Sequence, residues 1–233
     1  MLKKQSILWI MLSFLGLTTS SKLMAQDWPN LEKYKKANAE LSAPTENEHR
    51  VVFMGNSITE GWSNADPDFF TDHPYINRGI SGQTTPQMVL RFQQDVVQLE
   101  PKIVVILAGT NDIAGNTGPM TLEEIRDNML SMVQLAKANN IFPIVCSVLP
   151  AYDYPWRPGL QPNIKIPKLN TMLQKMADEQ GVLYLDYFSA MADDRNGLPK
   201  ALTTDEVHLT KEGYAAMEKL VQEAIGKVQK NEM

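Results

Sequence analysis

The sequence is short of the features that would reveal a partner or a stabilising device at once. It has one cysteine, Cys146, so no internal disulfide can form. That residue lies in the apolar run Ile141 to Leu149, where a thiol serves as a small buried hydrophobe. Histidine is scarce too, with three in the chain, and no group of His, Cys and carboxylates has ligand spacing, so neither a metal nor another cofactor is implied. Positive charge is limited to 22 Lys and Arg against 27 Asp and Glu, with no basic cluster, which argues against nucleic acid as a partner. Repeats and low-complexity stretches are absent. Nothing fixes an oligomeric state.

No apolar run reaches the roughly 20 residues of a membrane-spanning helix. The N-terminal one, Ile7 to Leu17, follows Lys3 and Lys4 and precedes a small, polar stretch ending at Ala25. Residues 1–25 therefore read as a secretory signal peptide cleaved before Gln26, and a secreted or periplasmic location without a stable membrane span is expected. Loss of Lys3, Lys4 and Lys22 would take the formal charge from −5 to −8. The remaining chain is long enough to build a core unaided.

Residues 26–49 are polar and rich in Lys and Glu, suggesting a helical arm. From Arg50 the pattern alternates. Short β-branched runs at Val51 to Met54, Tyr75 to Asn77, Ile103 to Leu107, Ile141 to Leu149 and Val182 to Leu185 predict five strands. Between and after them, Thr85 to Leu99, Leu122 to Ala138, Ile166 to Glu179 and Lys211 to Val228 carry apolar residues at helical spacing. Continuous apolar strands such as Ile103–Leu107 are buried on both faces, so residues 50–233 should form one α/β domain. The expected architecture is a three-layer α/β/α sandwich on a parallel five-stranded sheet, with ligands bound beyond the carboxyl ends of the strands.

Those ends hold the chemistry. Gly55-Asn56-Ser57-Ile58-Thr59 follows the first strand, Ile80-Ser81-Gly82-Gln83-Thr84-Thr85 the second and Gly109-Thr110-Asn111-Asp112 the third, while Asp205-Glu206-Val207-His208-Leu209-Thr210 stands near the C-terminus. Each alone could be a cap or a turn. Together they supply a hydroxyl, a base, a carboxylate and amide donors, which are the parts acyl transfer needs. His208 is the plausible base, since His49 and His73 lie in polar contexts. Asp205, three residues before it, can orient the imidazole.

In these four motifs, over about Arg50 to Lys227, the chain resembles the SGNH hydrolases, also called GDSL esterases or lipases, and within them the platelet-activating-factor acetylhydrolase-like branch. The resemblance implies the flavodoxin-like SGNH fold. It implies Ser57 as nucleophile, Asp205 and His208 as the rest of the triad, and an oxyanion hole of Ser57, Gly82 and Asn111, with Gly79 the alternative glycine. Asn56 departs from the Asp of the family's Gly-Asp-Ser.

For substrate contacts the sequence offers Trp62, just after the nucleophile motif, and Trp156 with Arg157 in a loop rich in aromatics and proline. With no apolar insertion to hold a long acyl chain, the expected substrate is a short-chain, acetyl ester, with carbohydrate favoured as the alcohol. The alternatives are a lysophospholipase or thioesterase, an inactive carbohydrate-binding or envelope interaction protein, and a glycosidase using Asp112 and Asp205.

Overall fold

The computed structural model describes residues 26–232, with side chains to residue 230. The expected signal segment, residues 1–25, lies outside the described residues. The arm contains helix α1 (Glu32–Glu40), and the alternating region then runs β1 (Val51–Gly55), α2 (Ser57–Ala65), α3 (Pro67–Thr71), β2 (Tyr75–Gly79), α4 (Thr85–Asp95), β3 (Ile103–Leu107), α5 (Thr110–Ile113), α6 (Leu122–Ala138), β4 (Phe142–Cys146), α7 (Pro162–Gln180), β5 (Leu183–Leu185), α8 (Tyr187–Met191) and α9 (Lys211–Glu232).

All four strand pairings are parallel, in the order β2-β1-β3-β4-β5. Alternation along the strands builds two cores. Val52, Met54, Val104, Ile106 and Val145 face α4, α6 and α7, where they meet Met88, Phe92, Ile125, Met129, Leu169 and Leu173. Val51, Phe53, Ile103, Val105 and Cys146 face the other layer, against Ile58, Trp62, Phe69, Met217 and Val221. Burying each such side chain contributes about 1.5–3 kcal/mol, so both faces of every central strand must be apolar. Burial also pushes the Cys146 thiol well above its ordinary pKa.

The register matters for function. Gly55 lies level with Gly79 on one side and with Leu107 on the other, so three chain segments leave the sheet at one height. Strand order reverses at β1, where β2 and β3 flank it, and this switch point opens a crevice at the carboxyl edge.

Helix boundaries depart from the sequence pattern where capping or proline intervenes. The helix expected over Thr85 to Leu99 is α only to Asp95 and finishes as a 3₁₀ turn, Val97–Leu99. The one expected from Ile166 begins at Pro162 and carries Pro167 inside it. Proline there cannot bond the Asn163 carbonyl, and Asn196 Nδ2 supplies the missing donor at 3.1 Å.

Candidate active site

Ser57 is the first residue of α2, reached from β1 through Asn56 alone. Asn56 caps that helix, its Oδ1 accepting from Ile58 N–H at 3.1 Å, which is the capping role an Asp would also fill. The turn is tight. A Cβ on Gly55 would lie 2.0 Å from Thr59 Oγ1, so only glycine fits.

The Ser57 Oγ is 3.0 Å from His208 Nε2, and His208 Nδ1 is 2.7 Å from Asp205 Oδ2. Local structure aims the imidazole. Val207 and Leu209 are buried in opposite cores, so the residue between them is directed to the crevice. The segment closes on itself through a bridge between Thr203 and Leu209, and the Thr204 N–H donates to the His208 carbonyl at 2.8 Å. Burial pushes the Asp205 carboxyl up, but bonds from the His208 backbone and ring and from Val207 N–H outweigh it and hold the pKa below 3.8.

Gly82 and Asn111 lie just beyond the ends of the two flanking strands, β2 and β3. Gly82 has φ +77°, a conformation that glycine adopts without strain. Among the described residues neither its N–H nor that of Ser57 has a hydrogen-bond partner. Asn111 is buried at the start of α5; one Nδ2 hydrogen goes to the Gln83 carbonyl at 3.0 Å, leaving the other available. The loops interlock further, since Asn116 Nδ2 donates to Gly82 O at 3.1 Å and Ile80 N–H to Gly55 O at 3.1 Å. Gly79 is already engaged, its N–H donating to Asn77 Oδ1 at 2.9 Å.

Sequence reasoning passed over several supporting residues. Glu60, one turn into α2, accepts from Ser81 N–H at 2.8 Å and pairs with Lys33 of the arm at 2.7 Å. Burial raises its pKa, but the bonds from Lys33 and Ser81 prevail and keep it below the usual glutamate value. Gln83 and Arg91 form a second, separate set, with Arg91 Nε donating to Gln83 Oε1 at 2.5 Å.

The expected substrate contacts divide. Trp156 is 44% exposed, stacks on Tyr154 and has its ring centroid 6.3 Å from that of His208. Arg157 is exposed but its guanidinium is engaged by backbone, with Nη1 donating to Ala114 O at 2.6 Å and Gly115 O at 2.8 Å. Trp62 does not line the crevice. It is 1% exposed, stacked on Phe69 at 4.9 Å, with Nε1 on Glu218 at 2.8 Å. Ile58 and Trp62 are four apart on α2 and share its core face, so proximity to Ser57 in sequence turns into separation in space.

Asp112 is unsuited to pairing with Asp205 in a glycosidase. It is buried, and its Oδ1 accepts the N–H (2.8 Å) and hydroxyl (2.6 Å) of Thr85 at the start of α4, while burial raises its pKa. The other histidines stand apart: His73 stacks on Tyr75, and His49 is exposed before β1. Among the described residues no group of three or more His, Cys, Asp or Glu could hold a metal ion, and no helix is long and apolar enough to cross a membrane.

The arrangement can deprotonate a hydroxyl and stabilise an adjacent oxyanion. The sequence profile of the GDSL-like lipase/acylhydrolase family matches residues 53–216, which hold all the residues of this crevice. The chain belongs to this family. It is similar in structure to a provisionally named acylhydrolase of Bacteroides fragilis NCTC 9343, with 49% identity, a TM-score of 0.85, and coverage of 87% of this chain and 99% of that one. Among curated relatives it is 36% identical over 124 residues to the uncharacterized lipoprotein YqeF of Bacillus subtilis, covering 44% of this chain and 49% of that protein. It is 27% identical over 194 residues to the isoamyl acetate-hydrolyzing esterase of Saccharomyces cerevisiae, covering 71% and 81%. The chain thus spans about half the length of the first of these curated relatives and most of the second. The expectation of an SGNH-type α/β fold agrees with these matches, and the family is one of carboxylic ester hydrolases.

Proposed function

We propose that the protein is a serine esterase that removes short acyl groups, acetyl above all, from carbohydrate alcohols. The observation that carries the reading is the continuous relay from Ser57 Oγ to His208 Nε2 at 3.0 Å and from His208 Nδ1 to Asp205 at 2.7 Å.

In the first step Ser57 Oγ attacks the ester carbonyl and its proton passes to His208 Nε2. The Asp205 carboxylate stabilises the imidazolium. The carbonyl oxygen, now an oxyanion, is held by the N–H groups of Ser57 and Gly82 and the free Nδ2 hydrogen of Asn111. The tetrahedral species collapses, the C–O bond to the alcohol breaks and His208 returns the proton to the leaving oxygen. Water then attacks the acyl-enzyme, His208 taking its proton, and the second collapse releases the acid and restores Ser57.

The short acyl preference rests on what borders the crevice. Among the described residues, Trp156 is the exposed large hydrophobic whose ring stands beside His208, and it offers a single aromatic face in place of a long apolar track. Trp156, open on one face beside His208, suits a sugar ring on the alcohol side. The acetate ester named for the yeast relative agrees with the acyl size. Export through residues 1–25, giving a secreted or periplasmic enzyme, is part of the same proposal, and a lipoprotein relative is compatible with it.

Acetate released from acetylated xylan, pectin fragments and O-acetylated sialic acids tests the alcohol, and p-nitrophenyl acetate, butyrate and octanoate test the acyl group. Acetyl esters should give the highest kcat/KM. A steady rise toward octanoate would point to a lysophospholipase instead.

A further inference from the structure

A buried guanidinium joins the parts of the crevice from behind. Arg91 has no exposed surface, although it is charged and lies outside the reacting atoms. Its Nη2 donates to Gly55 O at 3.0 Å, two residues before Ser57; its Nε donates to Gln83 Oε1 at 2.5 Å; and its Nη1 meets Asp95 Oδ2 at 3.0 Å. Gly55 O accepts in addition from Ile80 N–H, so a single carbonyl ties the nucleophile turn to the loop carrying Gly82.

Gln83 is the second node. It is 3% exposed and adjoins Gly82 in the chain. Its backbone carbonyl takes the Asn111 Nδ2 hydrogen at 3.0 Å, its Oε1 takes Arg91, and its Nε2 donates to Pro29 O at 2.6 Å. The arm is fastened along α4 in the same way, with Gln87 Nε2 on Trp28 O at 2.7 Å and Gln94 Nε2 on Leu31 O at 2.6 Å.

A buried ion pair of this kind is a poor stabiliser, because the cost of desolvation offsets much of the attraction, and a well-packed apolar side chain often serves the fold as well. What an apolar side chain cannot do is hydrogen-bond from its own helix to the nucleophile turn and the Gly82 loop at once. We propose that Arg91 and Gln83 are positioning residues that set the distance of the Gly82 and Asn111 donors from Ser57, with the arm at Pro29 clamping Gln83 from outside. The inference rests on the esterase reading above. Positioning matters because a misplacement of about 1 Å can cost on the order of 10²-fold in rate.

The test compares wild type with Gln83→Ala, Gln83→Glu, Arg91→Met and Arg91→Lys, with Ser57→Ala as reference. For each, kcat and KM for p-nitrophenyl acetate are measured per active site, counted by titration with a p-nitrophenyl phosphonate, together with the thermal midpoint. Gln83→Ala and Arg91→Met should lower kcat per titrated site roughly 10- to 100-fold with KM changed less than about twofold. Gln83→Glu, which keeps the acceptor for Arg91, and Arg91→Lys, which keeps the charge, should recover part of the loss and stand in should the larger changes prevent folding. Wild-type kcat per titrated site in the folded variants, with Ser57→Ala inactive, overturns the inference and leaves the esterase reading intact. An active Ser57→Ala overturns that reading itself.

Discussion

Asp205 holds His208 by two routes at once: Oδ2 meets the ring Nδ1 at 2.7 Å and Oδ1 accepts the backbone N–H of the same residue at 2.7 Å. One carboxylate thus fixes both the chain and the imidazole, which a three-residue spacing permits only in a turn. Glu206 supplies that turn with φ +72°.

Asp205→Asn should therefore lower kcat by roughly 10⁴ through loss of the tautomer and of imidazolium stabilisation. Because the folded pKa lies below 3.8, the carboxylate is ionised from pH 5 to 9 and contributes no limb to a pH–rate profile there. A depressed carboxyl stabilises the fold above its unfolded value and loses that contribution as pH falls through the folded one. Below pH 3.8, acid unfolding of Asp205→Asn should be less pH-dependent than that of wild type, as followed by circular dichroism.

Asn111→Ala removes one oxyanion donor and should reduce kcat about 10²–10³-fold with little change in KM. It also strips the Gln83 carbonyl of its bond, at about 1–3 kcal/mol. At roughly 2–4 °C per kcal/mol for a domain of this size, calorimetry should find the thermal midpoint lowered by about 2–12 °C.

Most of the fold was legible because the sheet is buried on both sides. Ile103–Leu107 reads as a strand from its apolar continuity alone, and Leu122–Ala138 as a helix from its spacing. The short helices α2, α3, α5 and α8 were not legible. Each is four to nine residues, set by caps such as Asn56, Asp66 and Asp186 and by packing rather than by a sustained period.

That gap explains the error at Trp62. Without α2, the residue looks like a neighbour of Ser57; with it, Ile58 and Trp62 fall on the buried stripe. Arg91 carried a signal that was passed over. Met88, Arg91, Phe92 and Asp95 follow the helical core spacing, so the ion pair was placed inside by the same rule that buries the methionine.

Trp62→Ala should accordingly behave as a core truncation, costing about 3–5 kcal/mol, with kcat per folded molecule unchanged. Urea unfolding and activity measured together would show this. A KM effect without destabilisation would return Trp62 to the substrate site.

Trp156→Ala should do the opposite. The ring is 44% exposed, so the thermal midpoint should hold, while KM for an acetylated oligosaccharide should rise more than KM for p-nitrophenyl acetate, whose small alcohol does not reach the ring. Equal effects on both substrates would remove the reason for naming a carbohydrate.

The central claim is that Ser57 is the nucleophile, and the mass of the protein after reaction with a p-nitrophenyl phosphonate tests it most directly. Wild type should gain a single phosphonyl group on the peptide containing Ser57 in step with loss of esterase activity, His208→Ala should react far more slowly, and Ser57→Ala should neither be labelled nor turn over p-nitrophenyl acetate. Labelling at another residue, or a Ser57→Ala protein that retains near wild-type turnover, would contradict the account.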